Sequence, residues 1–509
     1  MYAKVLLNRS CNSQYILKLM MNKHLIIFLL AMVGTIPAIA QNEDSFEAYR
    51  KGIKDSFHTF QKKLLDDYDK YLEGVWTKYD AFRGEERSPL PKPRKAPLAE
   101  NAAEQPSIIQ IPVPSKPEPE TLPSDKKPDT SLFTSPVIPT QDWDSFDFYS
   151  ISVKVPDVRF KDNSGLFRTK DFAVLWRAYS DNKIAKKVIP ALQQCAARCN
   201  LNDWFIFDLV RSYVDHVFAT AEPEMRISLR HYLLSHWGYD VRIGIEDTEQ
   251  PILLAAIVQM VYARTYTEID GQRYYLFHDS RYNEDTNRNI SFRTCELPSN
   301  AEKGYPIDLI IHKELTIPYL PHPYTFNYGG LAIKGEVNAN LMPMLYHYPQ
   351  MPIGCYAQSI VNKNIHNEVV EQLHRQLTGM PQQKAVDTLL HFVQSAFEYA
   401  TDDEQHGFEK PYFFEEVLFY PQCDCEDRSI FYAYLLWHVL GVENQLIGYP
   451  GHEAVAVHLN TPIQGDGYSY NDRTFYISDP TYIGAVTGMC MPDYRNEQPE
   501  IEFYYLSKK

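Results

Sequence analysis

The chain has 509 residues, too many for one ordinary core, so roughly two to four folded units are expected. Hydrophobic residues make up 44% and charged residues 23%, which excludes wholesale disorder and a collagen-like chain. Fifty Lys and Arg stand against 65 Asp and Glu, a formal charge of −15 with no basic block, and this argues against a nucleic-acid partner.

From Met21 the chain reads MNKHLIIFLLAMVGTIPAIA. Lys23 and His24 precede an apolar run, Leu25 to Val33, and Ala38-Ile39-Ala40 supplies a small-x-small cleavage pattern. Residues 1–40 therefore read as a signal peptide, with 1–20 as an upstream extension. The run is shorter than the roughly 20 residues a membrane helix needs, so no membrane span is expected. No Cys follows the cleavage pattern, which speaks against a lipid anchor. The expected location is outside the cytoplasm of a bacterium, in the periplasm or at the cell surface.

Eight cysteines are present, and removing Cys11 with the leader leaves seven. An odd number in an exported protein leaves at least one thiol free or paired between chains. No C-x-x-C occurs, so no metal site of that type is expected. Cys195 and Cys199 are spaced i,i+4 in a helical stretch and read as core.

Residues 41–85 are expected to form a long amphipathic helix. Its apolar positions, from Phe46 through Tyr49, Ile53 and Phe57 to Tyr79 and Phe82, step by three, four and four. That eleven-residue period suits a straight or slightly right-handed helix. The stripe over 45–82 needs a partner: the chain's own body, self-association or an envelope contact. Residues 86–142 hold 13 of the 34 prolines and read as an extended linker.

Residues 143–290 read as a folded domain. SFDFYSISVKV (145–155) has strand composition, and 183–218 reads as helix, with Asn202-Asp203 as a cap before Trp204. Residues 291–365, rich in Pro, Gly, Tyr and β-branched residues, read as an irregular β segment. Residues 366–509 open with a helical stretch to about residue 400 and then carry the candidate chemistry.

Two stretches about 200 residues apart resemble each other. RISLRHYLLSHWGYDVRIG begins at Arg226, and RSIFYAYLLWHVLGVENQLIG begins at Arg428. In both, Tyr-Leu-Leu starts six residues after the Arg and Ile-Gly closes the unit. IDGQRYYLFHDSRY (269–282) likewise echoes YNDRTFYISDPTY (470–482). One fold used twice is the expectation. Cys425 aligns with Pro223, and His452 has no histidine counterpart near Glu249 and Gln250, so the first copy is expected to be non-catalytic.

In the second copy, Cys423-Asp424-Cys425-Glu426-Asp427-Arg428-Ser429 precedes an apolar helical run. Cys425 falls at the start of that helix, where unpaired N–H groups favour a thiolate nucleophile. GYPGHEAVAVHL (448–459) and RTFYISDP (473–480) read as two strands of a hairpin around a polar loop centred near Asp466. That pairing sets His452 about opposite Asp479, whose carboxylate would hold the imidazole in the tautomer of a general base. His458 would face Arg473, a poor place for a base. The histidines of HEAVAVH are i,i+6, not the H-E-x-x-H zinc spacing, and no phosphate loop or dinucleotide fingerprint occurs. No metal and no cofactor are expected.

Cys-Glu-Asp-Arg-Ser before an apolar helix ending in Leu-Gly-Val resembles the nucleophile motif of the transglutaminase-like superfamily. Gly451-His452 and Ile477-Ser478-Asp479-Pro480 resemble its histidine and aspartate motifs, in the family's order, and FVQSAFEYATD resembles the preceding helix. The resemblance covers residues 380–485. It departs at Pro421-Gln422, where the family often has Gly, and at Ala454, where it often has an aromatic. It implies an α+β papain-like fold with Cys425 as nucleophile, His452 as base and Asp479 as orienter. It also implies attack on a peptide or amide carbonyl through a thioester, with hydrolysis expected over cross-linking. The oxyanion hole should use the Cys425 N–H and one side chain, with Gln422, Tyr420 and Tyr399 as candidates. The expected partner is a peptide or protein substrate.

Overall fold

Pairing along the chain is mostly antiparallel and mostly between near neighbours, as the alternating aromatic and β-branched runs require. The computed structural model describes residues 76–87, 90–99, 143–158, 171–279, 287–295 and 304–506. The expected signal peptide and the stripe up to residue 75 lie outside the described residues, as does the Pro-rich stretch from residue 100 to 142.

The end of the expected long helix is instead a strand, Trp76–Ala81 (β1). Its aromatics serve a sheet equally well: Tyr79 stacks on Phe292 of the neighbouring strand, centroids 6.0 Å apart. A hairpin follows, Trp143–Phe148 (β2) and Ile151–Pro156 (β3), turning at Tyr149 with φ 53°. Helices then span Phe172–Asp181, Ile184–Cys199, Asp203–Val217 and Pro223–Trp237. Asn202 caps the third, its side chain accepting from the Phe205 N–H at 3.2 Å. Cys195 and Cys199 are buried on the second.

The strands Val241–Glu246 (β4), Pro251–Ala256 (β5), Tyr266–Ile269 (β6), Gln272–Phe277 (β7) and Ile290–Cys295 (β8) join β1 in one sheet, in the order β1-β8-β4-β5-β7-β6. Its ends meet: Phe82 and Tyr266 exchange backbone hydrogen bonds of 2.7 and 2.9 Å. The sheet is therefore barrel-like, and closure leaves no open edge there. Ile252, Leu254, Tyr274, Leu276 and Phe292 fill one face.

Residues 291–365 are not simply an irregular β segment. Most of β8 falls there and belongs to the barrel. A hairpin follows, Pro321–Tyr328 (β9) and Leu331–Asn338 (β10), and then helices Met342–Tyr346 and Ile353–Gln358. The helical stretch up to residue 400 divides at Gly379, φ 84°, into Lys363–Leu377 and Gln382–Ala396. Gln372 and Gln376 on the first of these bond the Lys334 and Ala332 backbone, which covers one edge of β10.

A short parallel pair, Glu398–Tyr399 (β11) and Gln422–Cys423 (β12), leads into the helix Cys425–Leu440. Asn444–Tyr449 (β13), His452–Val457 (β14), Gly467–Tyr470 (β15), Arg473–Ser478 (β16) and Glu500–Tyr505 (β17) form a sheet of order β15-β16-β14-β13-β17. The first sheet runs β6-β7-β5-β4-β8 over the equivalent strands, all antiparallel in both cases. Each set follows a helix, and those helices begin at Pro223 and Cys425, the two positions the sequence repeat aligns. The architecture as a whole is mixed α/β.

Candidate active site

The helix Cys425–Leu440 starts where the sequence places its polar-to-apolar switch. Asp427 stabilises the turn before it, Oδ2 accepting from the Asp424 N–H at 3.2 Å and Oδ1 from the Tyr412 N–H at 2.7 Å. Arg428 is buried and donates to the carbonyls of Gln394 (3.0 Å) and Phe397 (2.9 Å). Ser429 Oγ donates to the Glu453 carbonyl at 3.1 Å. One helical turn past Cys425, the helix is thus pinned to the residue that follows His452.

His452 opens β14, and its Nε2 lies 2.8 Å from Asp479 Oδ2. The other Asp479 oxygen accepts from the N–H groups of Thr481 (2.8 Å) and Tyr482 (3.1 Å). Gln394 braces the same loop, donating to the carbonyls of Asp479, Tyr482 and Ala485 and accepting from the Gly484 N–H. Tyr494 stacks on the imidazole, centroids 5.1 Å apart and planes 14° apart. The ring is held on its face by Tyr494 and at Nε2 by Asp479.

The expected hairpin differs in detail. Val455 pairs with Ser478 and Val457 with Tyr476, a register that carries His452 two residues beyond Asp479. A shift of two preserves the face of a pleated strand, so the contact survives. The intervening polar loop also contains β15, which pairs along the other edge of β16. His458 Nδ1 bonds the Thr474 carbonyl at 2.9 Å, away from the pair.

Cys425, His452 and Asp479 are 1%, 4% and 2% exposed, so the site is covered. The Cys425 thiol donates to Glu426 Oε2 at 3.1 Å. Burial, reinforced by the Glu426 and Asp424 carboxylates, holds that thiol well above its ordinary pKa. Cys423 is also buried, with its thiol pushed up to about 11. Neither is in a disulfide.

The largest departure from expectation is the cation beside the thiol. Lys92, from the supposed linker, places Nζ 2.7 Å from Asp424, 2.8 Å from Glu409 and 3.5 Å from Asp402, and it also pairs with Glu426. Burial works against its charge, but Asp424 and Glu426 outweigh that and hold the ammonium well above its ordinary pKa. Carboxylates here converge as a metal site would: Asp402, Glu409 and Glu426, and likewise Asp402, Asp424 and Asp427, offer oxygens within 4.8 Å of one another. The Lys92 ammonium supplies part of the counter-charge, and Arg87, 3.8 Å from Glu409, adds to it.

The three oxyanion candidates separate. Tyr399 lies within electrostatic reach of Cys425, and its hydroxyl donates to the Pro93 carbonyl at 2.9 Å. Gln422 bonds Glu398 at 3.3 Å, and the Tyr420 ring packs against Tyr412 and His406. In the first copy Asp279, which the sequence repeat aligns with Asp479, pairs with Arg226 and Arg230. A cavity of about 660 Å³ is lined by Trp204, Arg211, Arg230, Arg264, His347 and His406 among others; Cys425 and His452 do not line it.

Sequence reasoning missed Lys92, Tyr494 and Gln394. Lys92 had a readable signal, since it lies in a basic run among prolines while Cys425 lies in an acidic one. Gln394 lies in the FVQSAFEYATD stretch, but its bonds to the Asp479 loop, like the Tyr494 ring contact, have no local signature. No protein-family model matches the chain, and no curated protein matches it.

Proposed function

We propose that the chain is an exported thiol enzyme of the transglutaminase-like type that acts on peptide or amide carbonyls. The observation that carries this reading is the 2.8 Å His452–Asp479 pair, on a strand pinned to the turn of helix that begins at Cys425. Asp479 fixes the Nε2–H tautomer and stabilises the imidazolium; His452 Nδ1 takes the thiol proton. The thiolate attacks the carbonyl, and the Cys425 N–H with Tyr399 would receive the oxyanion. His452 then protonates the leaving amine, and water hydrolyses the thioester. Hydrolysis is favoured over transamidation because water is abundant.

Turnover of a fluorogenic peptide library should be lost in Cys425→Ala. Iodoacetamide labelling should be lost in Cys425→Ala and retained in Cys423→Ala. Turnover unchanged in Cys425→Ala would sink the assignment, and the reverse labelling pattern would move the nucleophile to Cys423.

A second reading is a non-catalytic envelope scaffold that keeps a papain-like shell. The covered thiol, bonded to a carboxylate, favours it. Absence of turnover with an uncovered and alkylatable Cys425 would select it.

A further inference from the structure

Residues 90–99 run across the candidate site and touch the element carrying each of its three members. Leu90 lies against Gly451, beside His452, where a glycine Cβ would stand 3.0 Å from the Leu90 Cβ. Lys92 pairs with Asp424 and Glu426, the two neighbours of Cys425. Pro93 offers its carbonyl to the Tyr399 hydroxyl. Pro97 and Ala99 exchange backbone hydrogen bonds of 2.9 Å each with Ile483, four residues past Asp479.

The segment is built to lie extended. Pro91, Pro93 and Pro97 restrict the backbone before binding, which lowers the ordering cost. It uses main-chain bonds at one end and one buried cation in the middle, as an extended peptide in a groove does. The Lys92 side chain is 7% exposed and faces carboxylates that are 0–23% exposed. An ammonium in such a well is held firmly, because removing it strands several buried carboxylates together. Being part of the same chain, the segment also meets the groove at a high effective concentration.

We propose that residues 90–99 are an in-chain occupant of the groove over Cys425, locked by Lys92, and that the freed groove takes an extended peptide bearing a lysine-type ammonium. The substrate half of this rests on the thiol-enzyme reading; the occupancy half does not. Autoinhibition follows directly, since the segment holds both neighbours of the thiol through Lys92 and engages the Tyr399 hydroxyl.

The test uses the full chain with residues 90–99 replaced by Gly and Ser at equal length. A labelled peptide LPKPRKAPLA should bind this variant and not the wild type, by fluorescence anisotropy. The same peptide with Met at its first lysine should bind at least about tenfold more weakly. Cys425, followed by peptide mapping, should be alkylated by iodoacetamide at least about tenfold faster in the variant and in Lys92→Met, and stay slow in Lys92→Arg. Failure of the peptide to bind the folded variant, or equal alkylation in wild type and Lys92→Met, overturns the proposal. If the replacement variant does not fold, hydrogen exchange of the wild type decides: the Ala99 amide should exchange about 100-fold more slowly than in the free peptide, and equal rates overturn it. Peptide binding without any amide turnover would remove the enzymatic reading and leave the occupancy standing. Turnover in the wild type as fast as in the variant would do the opposite.

Discussion

His452 Nε2 and Asp479 Oδ2 are 2.8 Å apart, and the second Asp479 oxygen is taken by two backbone N–H groups. Asp479 therefore has two separable roles, one toward the imidazole and one toward its own loop. Asp479→Asn keeps an oxygen for the Thr481 and Tyr482 amides but presents an amide to the ring. The protein should fold with a similar melting temperature and lose about 10²–10⁴-fold in kcat on an amide substrate. Circular dichroism and kinetics on the same preparation check both halves.

Gln394 should matter to stability as much as to geometry. Its amide bonds three carbonyls and one N–H of the Asp479–Ala485 loop, all from a buried position. Gln394→Leu removes all four of these bonds from the loop and should cost about 2–4 kcal/mol. Urea denaturation would show it as a lower midpoint with an unchanged slope.

The acidic well gives a sign to the pH dependence. Burial, then the nearby Glu426, raises Glu409 from 4.5 to about 8, and burial raises Asp402 from 3.8 to about 6. Raised carboxyl groups bind protons more tightly in the folded state than in the unfolded chain. Their contribution is fully present at low pH and is lost as pH rises through the folded values. The melting temperature should fall between about pH 5 and pH 9. Glu409→Gln should flatten the upper part of that curve; a melting temperature that rises across the range would contradict the argument.

Closure of the barrel depends on a close backbone approach. A Cβ at Gly84 would stand 2.3 Å from the Arg264 carbonyl oxygen, just beyond the Phe82–Tyr266 seam. Gly84→Ala should destabilise the protein by about 1–3 kcal/mol. Hydrogen exchange should show the loss first at the Phe82 and Tyr266 amides.

Local chemistry was legible in the sequence, because it depends on near neighbours. Caps and turn residues identified the Asn202 cap and the start of the Cys425 helix. Period-two alternation identified β14 and β16 and brought His452 toward Asp479. The internal repeat was also readable, since the same strand order needs the same apolar pattern twice. Periodicity alone could not separate helix from strand at Trp76–Ala81, where spaced aromatics satisfy both and pairing with β8 decided.

What only the tertiary structure decided is what covers the site. Composition marks residues 90–99 as unable to build a core, and by itself that reads as a tether. A segment without a core of its own can still be ordered by another surface, and here a carboxylate well more than 300 residues away along the chain does it. The acidic run around Cys425 reads in isolation as hostile to a thiolate. Lys92 offsets part of that charge, through long-range Coulomb contacts that no local pattern records.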